Sequence, residues 1–186
     1  MARLPLLLLP MLTLAVQGQP PYPLYKQCDS AWGDDIMVTK TICSVGCLMS
    51  SVSDGLGGYN ISIPAADGSY VEANPGTLNK WLQLNDGYDE SDDLIESVVP
   101  QIDPGRITWP EDGMYKTKDG LTYELIVQWI EAGRVVIANV LEGHHFVLSV
   151  GGSEDGDTIE VHDPGFDTAN YSYTGDVVGF RIFDMS

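Results

Sequence analysis

Positive charge is scarce in this chain. Nine Lys and Arg stand against 27 Asp and Glu over 186 residues, a formal net charge of −18. A polyanion repels nucleic acid and anionic lipid headgroups, so neither is expected as a partner. Histidine is scarcer still: His144, His145 and His162 are the whole supply. Chemistry that needs an imidazole must therefore use one of these three. Long apolar runs are missing too, apart from Leu4–Val16, whose 13 residues fall short of the ~20 of a membrane-spanning helix. That run follows the short positive start Met1-Ala2-Arg3, and small residues near Val16 and Gly18 lead into Gln19-Pro20-Pro21. The pattern predicts a secretory signal peptide over residues 1–18, cleaved after Gly18. Residues 19–186 are then expected to form one soluble domain, monomeric and free of the membrane, secreted or held in a lumenal or vacuolar space.

Cysteine is sparse and odd in number: Cys28, Cys43 and Cys47. In an oxidising compartment two tend to pair, leaving a reactive thiol or an intermolecular bridge. Cys28–Cys43 closes a loop of moderate length. Cys43–Cys47 would sit within one short turn and compete with a helix start, so Cys28–Cys43 is the favoured pair and Cys47 the free thiol. A zinc site built from Cys43, Cys47, His144 and His145 is the competing use. It is disfavoured because adjacent histidines in a strand point to opposite faces and secretion favours disulfides. Neither a metal nor another cofactor is expected.

What the chain does have is a change of periodicity partway along. Ser44 is placed to cap a helix from about Val45 to Leu56, ended by Gly57-Gly58, with Leu48, Val52 and Leu56 facing the core. A small hairpin is expected around Asp67-Gly68. Asn74-Pro75-Gly76-Thr77 opens a helix over 78–84, a short helix is read over 92–99 and stopped by Pro100, and 101–120 reads as loop. Thr122 caps a last helix that Gly133 ends. After it come strand-like segments at 134–141, 145–150, 158–163 and 177–183. Helices first and strands later predict an α+β fold with an antiparallel sheet.

Four residues carry the candidate chemistry. Cys47 follows Gly46 at a helix start, where unpaired N–H groups and the positive end of the dipole stabilise a thiolate. His145 enters an apolar strand with Phe146 and Leu148 on the opposite face, making it the candidate base and His144 its exposed neighbour. Asp163, at a strand end before Pro164-Gly165, can orient that base while starting a turn. His162 alternates away and is given no catalytic part. Gln27 has an amide that can donate to an oxyanion beside the Cys47 main-chain N–H. Each also has an ordinary structural reading: a buried cysteine, a strand-entry histidine, a turn aspartate, a solvated glutamine. Asn60 and Asn170 head N-glycosylation sequons, which matter only in a eukaryotic host.

Gln27–Trp32 (QCDSAW), Thr41–Ser51 (TICSVGCLMSS), Gly143–Leu148 (GHHFVL) and His162–Gly165 (HDPG) together resemble the papain-like cysteine peptidases, in the branch of the bacteriocin-processing, double-glycine leader peptidases. The resemblance runs from about Tyr25 to Phe183, with His145 98 residues after Cys47 and Asp163 18 after His145. It implies helices carrying the nucleophile packed on an antiparallel sheet carrying the base. It also implies Cys47 as nucleophile, His145 as general base, Asp163 as its partner and Gln27 as oxyanion donor, in amide hydrolysis of a peptide or protein through a thioester. The Cys28/Cys43 pair looks like an addition suited to secretion. Two other functions fit the same residues: a non-catalytic secreted binding protein on this fold, and an amidase acting on cell-wall peptides.

Overall fold

The computed structural model describes residues 19–186, so the signal-peptide expectation for 1–18 lies outside the described residues. In chain order the helices are α1 (Ile42–Val45), α2 (Cys47–Gly58), α3 (Pro75–Leu84) and α4 (Tyr123–Glu131). The strands are β1 (Ile63–Pro64), β2 (Tyr70–Val71), β3 (Ile107–Thr108), β4 (Met114–Tyr115), β5 (Val135–Val140), β6 (His145–Gly152), β7 (Thr158–His162), β8 (Asn170–Ser172) and β9 (Gly179–Met185). The fold is mixed α+β. An antiparallel sheet runs β3-β9-β5-β6-β7-β8, with β4 also on β9, and β1-β2 form a separate hairpin.

Alternation along β5 builds two cores. Val135 and Ile137 join Leu148, Phe183 and Met185 against Met49, Val52 and Leu56 of α2 and Leu78 and Leu82 of α3. Val136, Ala138 and Val140 join Val147, Phe180 and Ile182 against Tyr123, Ile126 and Ile130 of α4. A strand covered on both faces needs apolar residues at successive positions, and residues 135–138 supply them. The last helix therefore lies on the far face of the sheet from α2 and α3.

Local signals explain most element ends. Asn74 and Thr77 form a reciprocal capping box at α3, with Pro75 at the first helical position. The Thr122 side chain caps α4, and Gly133 takes φ +82 just beyond it. Three expectations for α2 are corrected. Helix α2 begins at Cys47, not Val45: a Cβ at Gly46 would stand 2.6 Å from the Ile42 carbonyl oxygen, and this close approach breaks α1 from α2. Ser44 does not cap α2; its hydroxyl donates to the Thr41 carbonyl. Gly57 and Gly58 lie inside the helix, where Pro23 and Tyr22 of the N-terminal segment pack on their bare backbone. The buried stripe of α2 is Met49, Val52 and Leu56, with Leu48 half-buried.

Instead of a helix over 92–99 there is a 3-10 turn, Glu96–Gln101, with Pro100 inside it. Asp92 takes a left-handed φ of 72° and cannot open a helix. Its carboxylate accepts from the main-chain N–H groups of Val38, Thr39 and Lys40 and from the Thr39 hydroxyl. Those bonds outweigh the effect of burial and hold the Asp92 carboxyl well below the usual carboxylate range. Removing this anchor leaves three loop N–H groups without their acceptor. Asp92→Ala is expected to destabilise the protein by about 2 kcal/mol or more in denaturant titration. The Asp92 contribution is present above pH ~4 and lost as pH falls through the lowered folded-state value, so the variant loses less stability on acidification than the parent.

Candidate active site

Cys47 is the first residue of α2, so its main-chain N–H is among those a helix start leaves without an internal acceptor. It is the unbridged cysteine, because Cys28 and Cys43 form a disulfide, as the spacing favoured. The disulfide also removes Cys43 from the four-ligand zinc set. Among the described residues, no three His, Cys, Asp or Glu side chains are placed to hold a metal ion.

His145 opens β6 and Asp163 directly follows β7, and the antiparallel β6–β7 pairing brings them together. His145 Nε2 lies 2.7 Å from Asp163 Oδ1, with both residues buried. Oδ1 also accepts from the Gly165 and Phe166 N–H groups at 2.8 and 2.9 Å, and Oδ2 accepts from the Tyr171 hydroxyl at 2.8 Å. A carboxylate so supplied with donors acts as the acceptor for the ring, which places a proton on Nε2 and leaves Nδ1 for Cys47. Gly165 has no side chain for a steric reason: a Cβ there would stand 2.9 Å from His145 Cε1 and 3.4 Å from Gln27 Oε1.

Burial acts to lower the His145 pKa, but the hydrogen bond to Asp163 and the hydrogen-bonding and charge influence of Cys47 outweigh it and lift the imidazole to about 9. The reciprocal balance lowers Asp163: burial pushes it up, and bonds from His145, Phe166, Tyr171 and Gly165 pull it further down. The thiol of Cys47 is thus close enough to the ring to act on its protonation.

Gln27 is buried at the same place. Its Nε2 donates to the Cys43 carbonyl at 2.7 Å, so one N–H is committed and the second is left over. Its main-chain N–H donates to the Pro164 carbonyl, and Lys26 Nζ donates to the carbonyls of Asp163 and Phe166. Residues 26–27 therefore clamp the turn that carries Asp163. The ring of Phe166 meets the His145 ring edge-on, centroids 5.1 Å apart. His144 is exposed, and His162 Nδ1 sits 3.0 Å from the Pro23 carbonyl oxygen, outside the site.

Cys47, His145 and Gln27 line one cleft of about 1020 Å³. Met37, Leu48, Leu94 and Phe146 give it an apolar lining, and the partly buried Arg181–Glu96 ion pair (2.5 Å) also lines it. Sequence reasoning missed Tyr171 and Lys26. The signal for Tyr171 was thin: an aromatic flanked by polar residues eight positions after Asp163, on a strand of three residues. No family model, curated protein or solved structure matches the chain. Among the described residues no helix is long and apolar enough to cross a membrane.

The coupled shifts have a sign that solution measurements can check. The raised His145 pKa contributes stability that is complete below about 6.5 and lost as pH rises through about 9. The lowered Asp163 pKa contributes stability that is present above ~4 and fades as pH falls. In an NMR titration the His145 ring is expected to titrate near 9. In Asp163→Asn that value is expected to fall, because burial is then opposed by Cys47 alone. Tyr171→Phe is expected to cost about 2 kcal/mol and to move the acid-side loss of stability to higher pH.

Proposed function

We propose that this chain is a cysteine-dependent amide hydrolase with a papain-like fold, acting on peptide or protein substrates in an oxidising compartment. The observation that carries the reading is the buried His145–Asp163 hydrogen bond of 2.7 Å beside the unbridged Cys47 at the start of α2. The residue order Cys, His, Asp, the Gln27 amide next to the imidazole and a cleft large enough for a peptide support it.

In this reading Cys47 gives its proton to His145, and the thiolate so formed is the nucleophile. The thiolate attacks the substrate carbonyl carbon, forming a C–S bond and a tetrahedral oxyanion. The Cys47 main-chain N–H and the spare N–H of Gln27 donate to that oxygen. His145 Nδ1–H passes its proton to the departing amine, the C–N bond breaks, and a thioester remains on Cys47. Water then attacks the thioester carbon while giving a proton to His145, and collapse releases the carboxylic acid and the thiol. Asp163 fixes the ring throughout, accepting from Nε2–H without taking the proton. The −18 charge and the disulfide suit a protein working outside a reducing cytosol.

Native protein treated with iodoacetamide is expected to carry one adduct, mapped to Cys47. Against a peptide panel, Cys47→Ala and His145→Ala should each lower kcat/KM by ~10³-fold or more while keeping the wild-type fold. Activity is expected to fall on the alkaline side through about 9, as the imidazolium loses its proton. An unlabelled Cys47 in folded protein would reject catalysis in favour of a non-catalytic binding protein. Cleavage confined to small amides or cell-wall peptides would favour the amidase instead.

A further inference from the structure

Asn139 lies in the cleft with no part in the chemistry above. It sits on β5 as the cross-strand partner of Phe146 on one side and Gly179 on the other, and it lines the cleft beside Gly143 and His145. Its neighbours in the strand, Val135 to Ala138 and Val140, are apolar and buried. A carboxamide in that run goes against the packing rule the strand otherwise follows. Among the described residues its Oδ1 is buried with no hydrogen-bond partner, a standing cost to the fold that a Val or Leu would avoid. Its main chain is ordinary: the carbonyl accepts from Val178 N–H, which any residue could do.

The turn beyond it is unusual in a way that concerns the same side chain. Leu141, Glu142 and Gly143 are successively left-handed, with φ of 52, 58 and 92°. Two non-glycine residues in that region are strained, and such strain persists where the surroundings enforce it. The turn delivers His145 to the head of β6 and sets Gly143, which has no side chain, against the amide. A Cβ on Gly143 would stand 3.9 Å from Asn139 Nδ2. With no side chain at Gly143, that residue leaves the Nδ2 end uncovered in the cleft that Cys47 also lines.

We propose that Asn139 is a substrate-binding residue, its carboxamide pairing with a main-chain amide of a peptide lying in the cleft. Nδ2–H donates to a substrate carbonyl and, on a turn of the side chain, Oδ1 accepts from a substrate N–H. The inference rests on Cys47 being the nucleophile and adds a substrate class: peptides recognised through their backbone, with little regard to side chains, in preference to small amides.

Two alkylators of Cys47 test it, iodoacetamide and acetyl-Ala-Ala-Ala chloromethyl ketone, used on the whole protein with the disulfide intact. Asn139→Leu matches the side chain in size and removes its polarity. It is expected to leave the iodoacetamide rate within about twofold, to slow the peptidyl reagent about tenfold, and to leave the thermal midpoint unchanged or raised. If Asn139→Leu does not fold, the isosteric Asn139→Asp, which keeps an acceptor and loses the donor, is expected to show the same selective loss. An unchanged peptidyl rate would overturn the proposal. So would two rates that fall together with a lowered midpoint, the mark of a structural residue. Wild-type protein that iodoacetamide does not label at Cys47 would instead overturn the nucleophile, and this proposal with it.

Discussion

The Asp163 carboxylate is the point on which the site depends. It sits where β7 ends, and it gathers donors from three sources: the imidazole of β6, the N–H groups of its own turn, and the Tyr171 hydroxyl on β8. A buried carboxylate stays charged only when its oxygens are supplied in this way. Once charged, it fixes both the orientation and the tautomer of His145. The sheet has no other reason to hold three polar side chains together at this end.

That carboxylate is itself held from outside the sheet. Lys26 and Gln27 bind the carbonyls of the 163–166 turn, and Cys28, the next residue, is bridged to Cys43 in α1. Four residues on, past the break that Gly46 imposes, α2 begins with Cys47. The N-terminal segment closes the circuit: the Tyr25 N–H donates to the buried Asp54 of α2, while Pro23 and Tyr22 lie on Gly57 and Gly58. Helix and sheet, which otherwise meet through apolar packing and the Ser51 hydroxyl on the Phe146 carbonyl, are thus registered against each other by a polar strap beside the cleft. A thiol, an imidazole and two amides need registration to within a fraction of an ångström, and packing alone does not specify position that finely.

The larger elements were legible because their signals are local. Runs of β-branched residues marked β5, β6 and β9. Asn74 and Thr122 marked helix starts, and Asp67-Gly68 marked the hairpin. What was not legible depends on distant partners. β3, β4 and β8 have two or three residues each, too few for alternation to show, and they exist because β9 and β7 offer edges to pair with. Gly57-Gly58 looked like a helix stop because glycine often is one. Its actual use, as a bare surface for Pro23 and Tyr22, could be seen only once the chain had returned to it. Asp92 looked like a helix opener for the same reason, and a loop more than fifty residues earlier had claimed it. In the site, Cys47, His145 and Asp163 stood out through residue type and order, whereas Tyr171 and Asn139 belong to ordinary-looking strands and acquire meaning from what lies across from them.

The Cys28–Cys43 bridge carries a consequence for where such a protein can function. One cysteine of the bridge adjoins the candidate oxyanion donor, and the other provides the carbonyl that holds that donor's amide. A chain folded where thiols stay reduced would lack a bridge that belongs to neither the sheet nor the two apolar cores. It would lose the tether that sets Gln27 against the helix bearing Cys47. The redox state of the surroundings therefore bears on how Gln27 is held, through a single covalent bond beside it.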